Sequence, residues 1–185
     1  MQNRIRARGS TSVQMVLTAV FLVPLAVGVY LSTGTNRRST HANQVSRDLA
    51  SMYGQGVDFS KPANQNIALR LLNPSDGKSV LILTRMKIVT AADCGPAAEM
   101  GCANQGYPAI LQRVVIGEPE LHASTLGAPL SIDHVTGNVL NWATDASARL
   151  TDSSIVVKPG ESTYAAEAYI SGPDEHTGVY ARTLF

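Results

Sequence analysis

Four histidines and two cysteines have the most scope for chemistry in this chain: His41, His122, His134, His176, Cys94 and Cys102. General acid–base work usually needs a histidine held beside a carboxylate. The acid–histidine neighbours are Asp133-His134 and Asp174-Glu175-His176. Adjacent residues on a strand point to opposite faces, which makes these poor catalytic pairs; placement in turns and loops explains them more simply. No GxSxG, HExxH or phosphate-cradling glycine loop is present, and Ser131-Ile132-Asp133-His134 matches no nucleophile motif. Cys94 and Cys102 flank Gly-Pro-Ala-Ala-Glu-Met-Gly, a segment able to bring its ends together. Neither a CxxC pair nor a nearby histidine completes a zinc site. The chemistry left to the cysteines is a disulfide, which would stabilise the fold by about 2–3 kcal/mol and needs an oxidising compartment. The alternative is two buried, unpaired thiols; the spacing and the compartment argued below favour the bond. The expectation is a protein that is not an enzyme, with no cofactor and no metal.

The elements around these residues are unevenly built. Ser12–Leu31 is an uncharged apolar run. As a helix rising about 1.5 Å per residue it would span the hydrocarbon core of a bilayer. A secretory signal usually has a shorter apolar core followed by a small-x-small cleavage pattern. Here Ser32-Thr33-Gly34-Thr35-Asn36-Arg37-Arg38 follows, which favours a retained transmembrane helix. Pro24 tends to kink such a helix, and Gly28 suits close helix approach. With Gln14, these two are the candidate helix-assembly residues. The first 44 residues carry five arginines and no acid, whereas the rest carries ten basic and all 14 acidic residues, a net −4. Arg4, Arg6 and Arg8 before the run favour a cytoplasmic N-terminus. The mildly acidic remainder offers no basic patch for nucleic acid.

Ala42, Val45, Leu49 and Met52 recur at helical spacing up to Gly54 and Gly56, so one helix should run from about Ser12 to Tyr53 and lay a narrow apolar stripe on a sheet. Ser60-Lys61-Pro62 predicts a helix start with Ser60 as cap and Ile67, Leu71 and Leu72 buried. Asn73–Gly77 is a breaker. Period-two patterns then predict strands at Val80–Thr90, at Tyr107–Ile116 (Ile110, Val114 and Ile116 inward, Arg113 outward), and at Gly178–Phe185. Ser154–Val157 and Thr163–Ile170 read as a hairpin across Lys158-Pro159-Gly160-Glu161. A turn at Gly137-Asn138 and a short helix near Ala143–Leu150 fill the remaining stretch. The fold class is α+β: a long N-terminal transmembrane helix continuing into an extracytoplasmic domain with an antiparallel sheet. The divisions are 1–11 cytoplasmic, 12–32 transmembrane, 33–56 helix extension and 57–185 outer domain.

Arg6-Ala7-Arg8-Gly9-Ser10-Thr11-Ser12-Val13-Gln14 and the run after it resemble the N-terminus of TadE-like proteins, the pseudopilins of the tight-adherence (Flp-type) pilus system. That family sets basic residues, a glycine, a few small or apolar residues, then an acidic and an aromatic residue before the membrane helix. Gln112–Gly117, Gly160–Tyr164 and Gly178–Arg182 are similar to phrases in a bacterial subgroup. The resemblance implies a pilin-like fold, cleavage by prepilin peptidase between Gly9 and Ser10, a place in the bacterial inner membrane, and partnership with other pilin-like subunits, the pilus assembly machinery and the lipid bilayer. It also implies a role in surface adhesion. Gln14 and Met15 stand where the family has its acidic and aromatic residues. A carboxylate there is thought to pair with a neighbour's freed amine; the Gln14 amide can only accept a weaker hydrogen bond.

A second reading is a single-pass, membrane-anchored binding or sensory ectodomain. Asn104-Gln105-Gly106-Tyr107, just past the cysteine loop, offers amides and an aromatic suited to recognition. A sensor needs an output module, and the eleven or so residues before the run are too few to signal alone, which favours the pilus reading.

Overall fold

A computed structural model of the chain describes residues 4–72, 78–95, 101–172 and 178–185. It divides into two compact units, one running up to Arg38 and the other Ser39–Phe185. The first unit is the N-terminal part of helix α1 (Arg4–Gly54), which runs on through Pro24. Among its described side chains, Met15, Phe21, Leu25 and Val29 are exposed. Thr18–Gly54 includes an 18-residue window of mean hydropathy 1.6, long and apolar enough to cross a membrane.

In the second unit the last turns of α1 bury Ala42, Val45 and Leu49 as their three- and four-residue spacing predicts; Met52 is only half-buried, and Tyr53 takes the next inward position. The helix stops where Val57 N–H donates to Met52 C=O and Gly56 N–H to Tyr53 C=O, each at 3.0 Å. That closure puts Gly56 at φ +90°, where a side chain is strained. Helix α2 (Pro62–Leu72) follows, with Pro62 in its first turn as expected. Ser60 does not cap it: its hydroxyl and its N–H both donate to Asp58. The buried side of α2 is Ala68 and Leu72, while Ile67 and Leu71 are exposed; the helix rests on the sheet along a narrower line than its apolar content suggests.

Four strands, β1 (Ser79–Ile88), β2 (Pro108–Gly117), β3 (Thr163–Ile170) and β4 (Val179–Leu184), form one antiparallel sheet ordered β2-β1-β3-β4. With the helices this is a mixed α+β unit. One face packs Leu81, Leu83, Val114, Ile116, Ala166 and Ala168 against α1 and α2. The alanines of β3 leave room for a helix to approach closely. The opposite face packs Met86, Ile110 and Ala165 against Leu126, Val139, Leu150, Ile155 and Val157, which come from largely irregular chain between β2 and β3. Burial on both faces explains why β1 is apolar along most of its length.

Four further expectations need correction. Ser154–Val157 is not a strand; Ile155 and Val157 point into the second core, and β3 pairs with β1 and β4. The turn expected after it is present, with Glu161 N–H donating to Lys158 C=O and Gly160 at φ +81°. Ile110 does not share a face with Val114 and Ile116, because the register shifts between Arg85 and Met86 and sends it to the second core. Arg113 is not outward but buried, since the irregular chain covers that face. The short helix expected near Ala143–Leu150 is a 3-10 turn at Ala146–Ala148. β4 ends in the sheet as expected: Phe185 and Tyr164 exchange both backbone hydrogen bonds. The break at Asn73–Gly77 lies outside the described residues.

Candidate functional site

Cys94 and Cys102 are joined in a disulfide with Cα atoms 5.8 Å apart. Cys94 ends a four-residue helix, α3 (Ala91–Cys94), whose start is a capping box between Thr90 and Asp93. Asp93 also takes an ion pair from Lys87 at 2.5 Å. Burial pushes the Asp93 carboxyl up, and hydrogen bonds from Lys87 and Thr90 outweigh it and hold the group below its ordinary range. Beyond the loop, Asn104 is fully buried. Its amide donates to Trp142 C=O at 2.8 Å and Asp145 C=O at 2.6 Å. It is therefore spent on internal structure rather than recognition. Tyr107 is half exposed, with the Arg149 guanidinium 3.8 Å above its ring.

The irregular chain is tied to the sheet by Glu167, 1% exposed on β3. Its carboxylate accepts from the Ser124 hydroxyl, from Thr125 N–H at 2.9 Å, from the Thr125 hydroxyl at 2.7 Å and from the Tyr180 hydroxyl at 2.8 Å. Burial alone would raise its pKa; those donors, Ser124 first, win and keep it lowered. Burial lowers the pKa of Arg113, and the nearby Glu167 charge opposes that shift. Arg182 pairs with Asp152 at 2.5 Å on the same side. These are structural ties: each carboxylate oxygen of Glu167 is occupied. His122 is packed against the rings of Tyr169 and Tyr180. Asp133, beside His134, caps the Gly137 turn by accepting from Val135 N–H and the Thr136 hydroxyl. Asp174-Glu175-His176 lies outside the described residues.

The helix-covered face opens at one end into a cleft of about 300 Å³. Its floor is a row across three strands, Gln112, Arg85 and Tyr164, in direct register. Tyr53 at the end of α1 forms one wall: its ring meets Tyr164 edge-on at 5.2 Å, and its hydroxyl donates to Gln112 Oε1 at 2.8 Å. Gly56, Val57, Asp58 and Ser60 form the rim, with Thr136 and Asn138 opposite. Asp58 is turned to Ser60 and Lys61, and its pKa is lowered chiefly by the Ser60 hydroxyl. The Arg85 side chain makes no hydrogen bond or ion pair among the described residues, and its Nε is buried without a partner.

Of the residues singled out in the sequence, the structure brings together Cys94 and Cys102. Gly9, Ser10, Gln14, Pro24 and Gly28 are strung along α1. Nothing lies within 4 Å of a Cβ built at Gly28. The cleft was missed because its floor depends on strand register. The one signal was Arg85, a cation in a strand otherwise rich in Leu, Ile and Val. Among the described residues no group of three or more His, Cys, Asp or Glu side chains could hold one metal ion. Comparison with family models, curated proteins and solved structures gives no significant match.

Proposed function

We infer that this chain is a single-pass membrane protein of the TadE-like kind, a pseudopilin or minor pilin that takes part in assembling a Flp-type pilus and in surface adhesion. The observation that carries the reading is the apolar stretch of α1: Met15, Val16, Val20, Phe21, Leu22, Val23, Leu25, Val27, Val29 and Tyr30 are all at least half exposed. So large an unbroken apolar surface is costly in water and at home in lipid or against other helices. Three further features support it. The arginines before the run suit a cytoplasmic N-terminus in the bacterial inner membrane. The disulfide suits a domain on the oxidising side. Arg8-Gly9-Ser10 resembles a prepilin peptidase site. Such a role demands little catalysis: a helix that bundles with like helices, and a stable domain that presents a surface to pilin-like subunits and the assembly machinery.

The test is the mature N-terminus, read by intact-mass spectrometry of the chain expressed in a bacterium carrying prepilin peptidase. A start at Ser10 is the expected result. A start at Met1 would leave a plain anchor, and a start beyond about residue 33 would mean a cleaved signal; either overturns the pilin-type assignment. The second reading, a membrane-anchored binding ectodomain, is favoured by the cleft around Arg85.

A further inference from the structure

The geometry points to a carboxylate-binding site in the cleft between the end of α1 and the β2-β1-β3 face, with Arg85 as the anchoring cation. Among the described residues, three lining groups lack an internal partner: the Arg85 guanidinium, the Tyr164 hydroxyl and the Asn138 side-chain amide. The others are engaged. Tyr53 donates to Gln112, Gln112 donates to Thr136 C=O at 2.8 Å, Thr136 donates to Asp133, and Ser60 donates to Asp58. A guanidinium in a partly buried strand row without a counter-charge is costly unless something accepts from it. Arg113 and Arg182, also on the sheet, each have acceptors. Arg85 alone of the three faces an open space.

The chemistry selects a monoanion. The guanidinium presents a planar fork matched to the two oxygens of a carboxylate. Tyr164 and Asn138 add one donor each, and the rings of Tyr53 and Tyr164 give an apolar flank for the carbon next to the acid. A phosphate dianion would meet one arginine only, with Asp58 at the rim and a domain of net −4 around it. The carboxylate can belong to an acidic side chain, a free peptide C-terminus or a sugar acid. The site does not depend on the membrane reading.

The experiment follows the Arg Nε–H resonances of the full-length, ¹⁵N-labelled chain in detergent, with Arg85 assigned through R85K. Benzoate should move the Arg85 signal saturably, and benzamide, its neutral counterpart of the same shape, should not. Arg85→Gln, followed through the Asn138 side-chain amide resonance because the Arg85 signal is then lost, should weaken benzoate at least roughly tenfold. Tyr164→Phe and Asn138→Ala should each weaken it roughly two- to tenfold. Because Asn138 is exposed and Phe keeps the Tyr164 ring, these two variants carry the test if Arg85→Gln does not fold. Competition with N-acetylglutamate amide, a peptide ending in a free carboxylate, and glucuronate then distinguishes the sources, displacement by any of them supporting the site. Equal shifts from benzoate and benzamide, full binding by the variants, no displacement by any of the three acids, or stronger displacement by methyl phosphate than by all of them would overturn it.

Discussion

Replacing either cysteine tests how much the crosslink holds. The bridge between Cys94 and Cys102 spans a sequence separation of 8, a loop of nine residues counting both ends. The chain-entropy relation then gives about 2.6 kcal/mol at 25 °C from restricting the unfolded state. Cys94 is 5% exposed and packs with Val89, Ala109 and Ala143, with Cys102 and Trp142 beside them. Alanine is therefore the better replacement than serine, which would bury a hydroxyl in that cluster. Cys94→Ala or Cys102→Ala should each lower unfolding stability by about 2–3 kcal/mol, measured by urea denaturation of the full-length chain in detergent. For a unit this size that is a fall of roughly 5–10 °C in Tm. The double variant should cost about as much as either single one, since one broken bond cannot be broken twice. Reducing the native chain should reproduce the loss. Single variants that each cost a few tenths of a kcal/mol, or costs that add in the double variant, would refute the reasoning.

Asp152 is held down to about 2 by the Ser154 hydroxyl and N–H first and the Arg182 guanidinium next. A depressed carboxylate pKa stabilises the fold above the unfolded value near 4, and that contribution is lost as pH falls toward 2; Asp152→Asn should flatten the acid limb of a stability–pH curve over that window and leave its shape above pH 5 unchanged. Gly137 sits at φ +71°, and a Cβ there would come within 2.6 Å of Arg113 C=O; Gly137→Ala should cost roughly 1–3 kcal/mol, with a thermal shift near zero contradicting the turn geometry.

Much of the frame is legible from periodicity. Ala42, Val45 and Leu49 mark the packed face of α1 because a helix has one dominant period. Val179–Leu184 alternates, and its inward residues are the ones that meet the helix side: Ala181 is buried, and the Thr183 hydroxyl lies 2.8 Å from that of Ser46. Pro159-Gly160 reads correctly because turns have local chemistry; the turn expected at Gly137-Asn138 lies just before it, at His134–Thr136, with Gly137 closing it and Asn138 bridged to Gln112. The misreadings share a cause. Ile155 and Val157 are apolar at strand spacing, yet they serve a core covered by irregular chain, which has no period to detect. Arg113 reads as solvent-facing because nothing local announces that residues near 124–139 will cover it, with Gly127 C=O accepting from its guanidinium. Asn104 looks like a recognition residue, whereas its buried amide links two distant loops. The cleft depends on Gln112, Arg85 and Tyr164 standing side by side, a matter of register that no single segment encodes.

The central claim is that the apolar part of α1 lies in a bilayer with the disulfide-bonded domain on the oxidising side. It is tested most directly by fractionating bacteria that express the full-length chain, washing the membranes at alkaline pH, and adding protease to spheroplasts. The account predicts that the chain stays with the washed membranes, that the protease removes the Cys94–Cys102 domain from outside, and that neither cysteine reacts with a thiol reagent before reduction. Full-length chain in the soluble cytosolic fraction, protected from protease and with both thiols reactive, would contradict it.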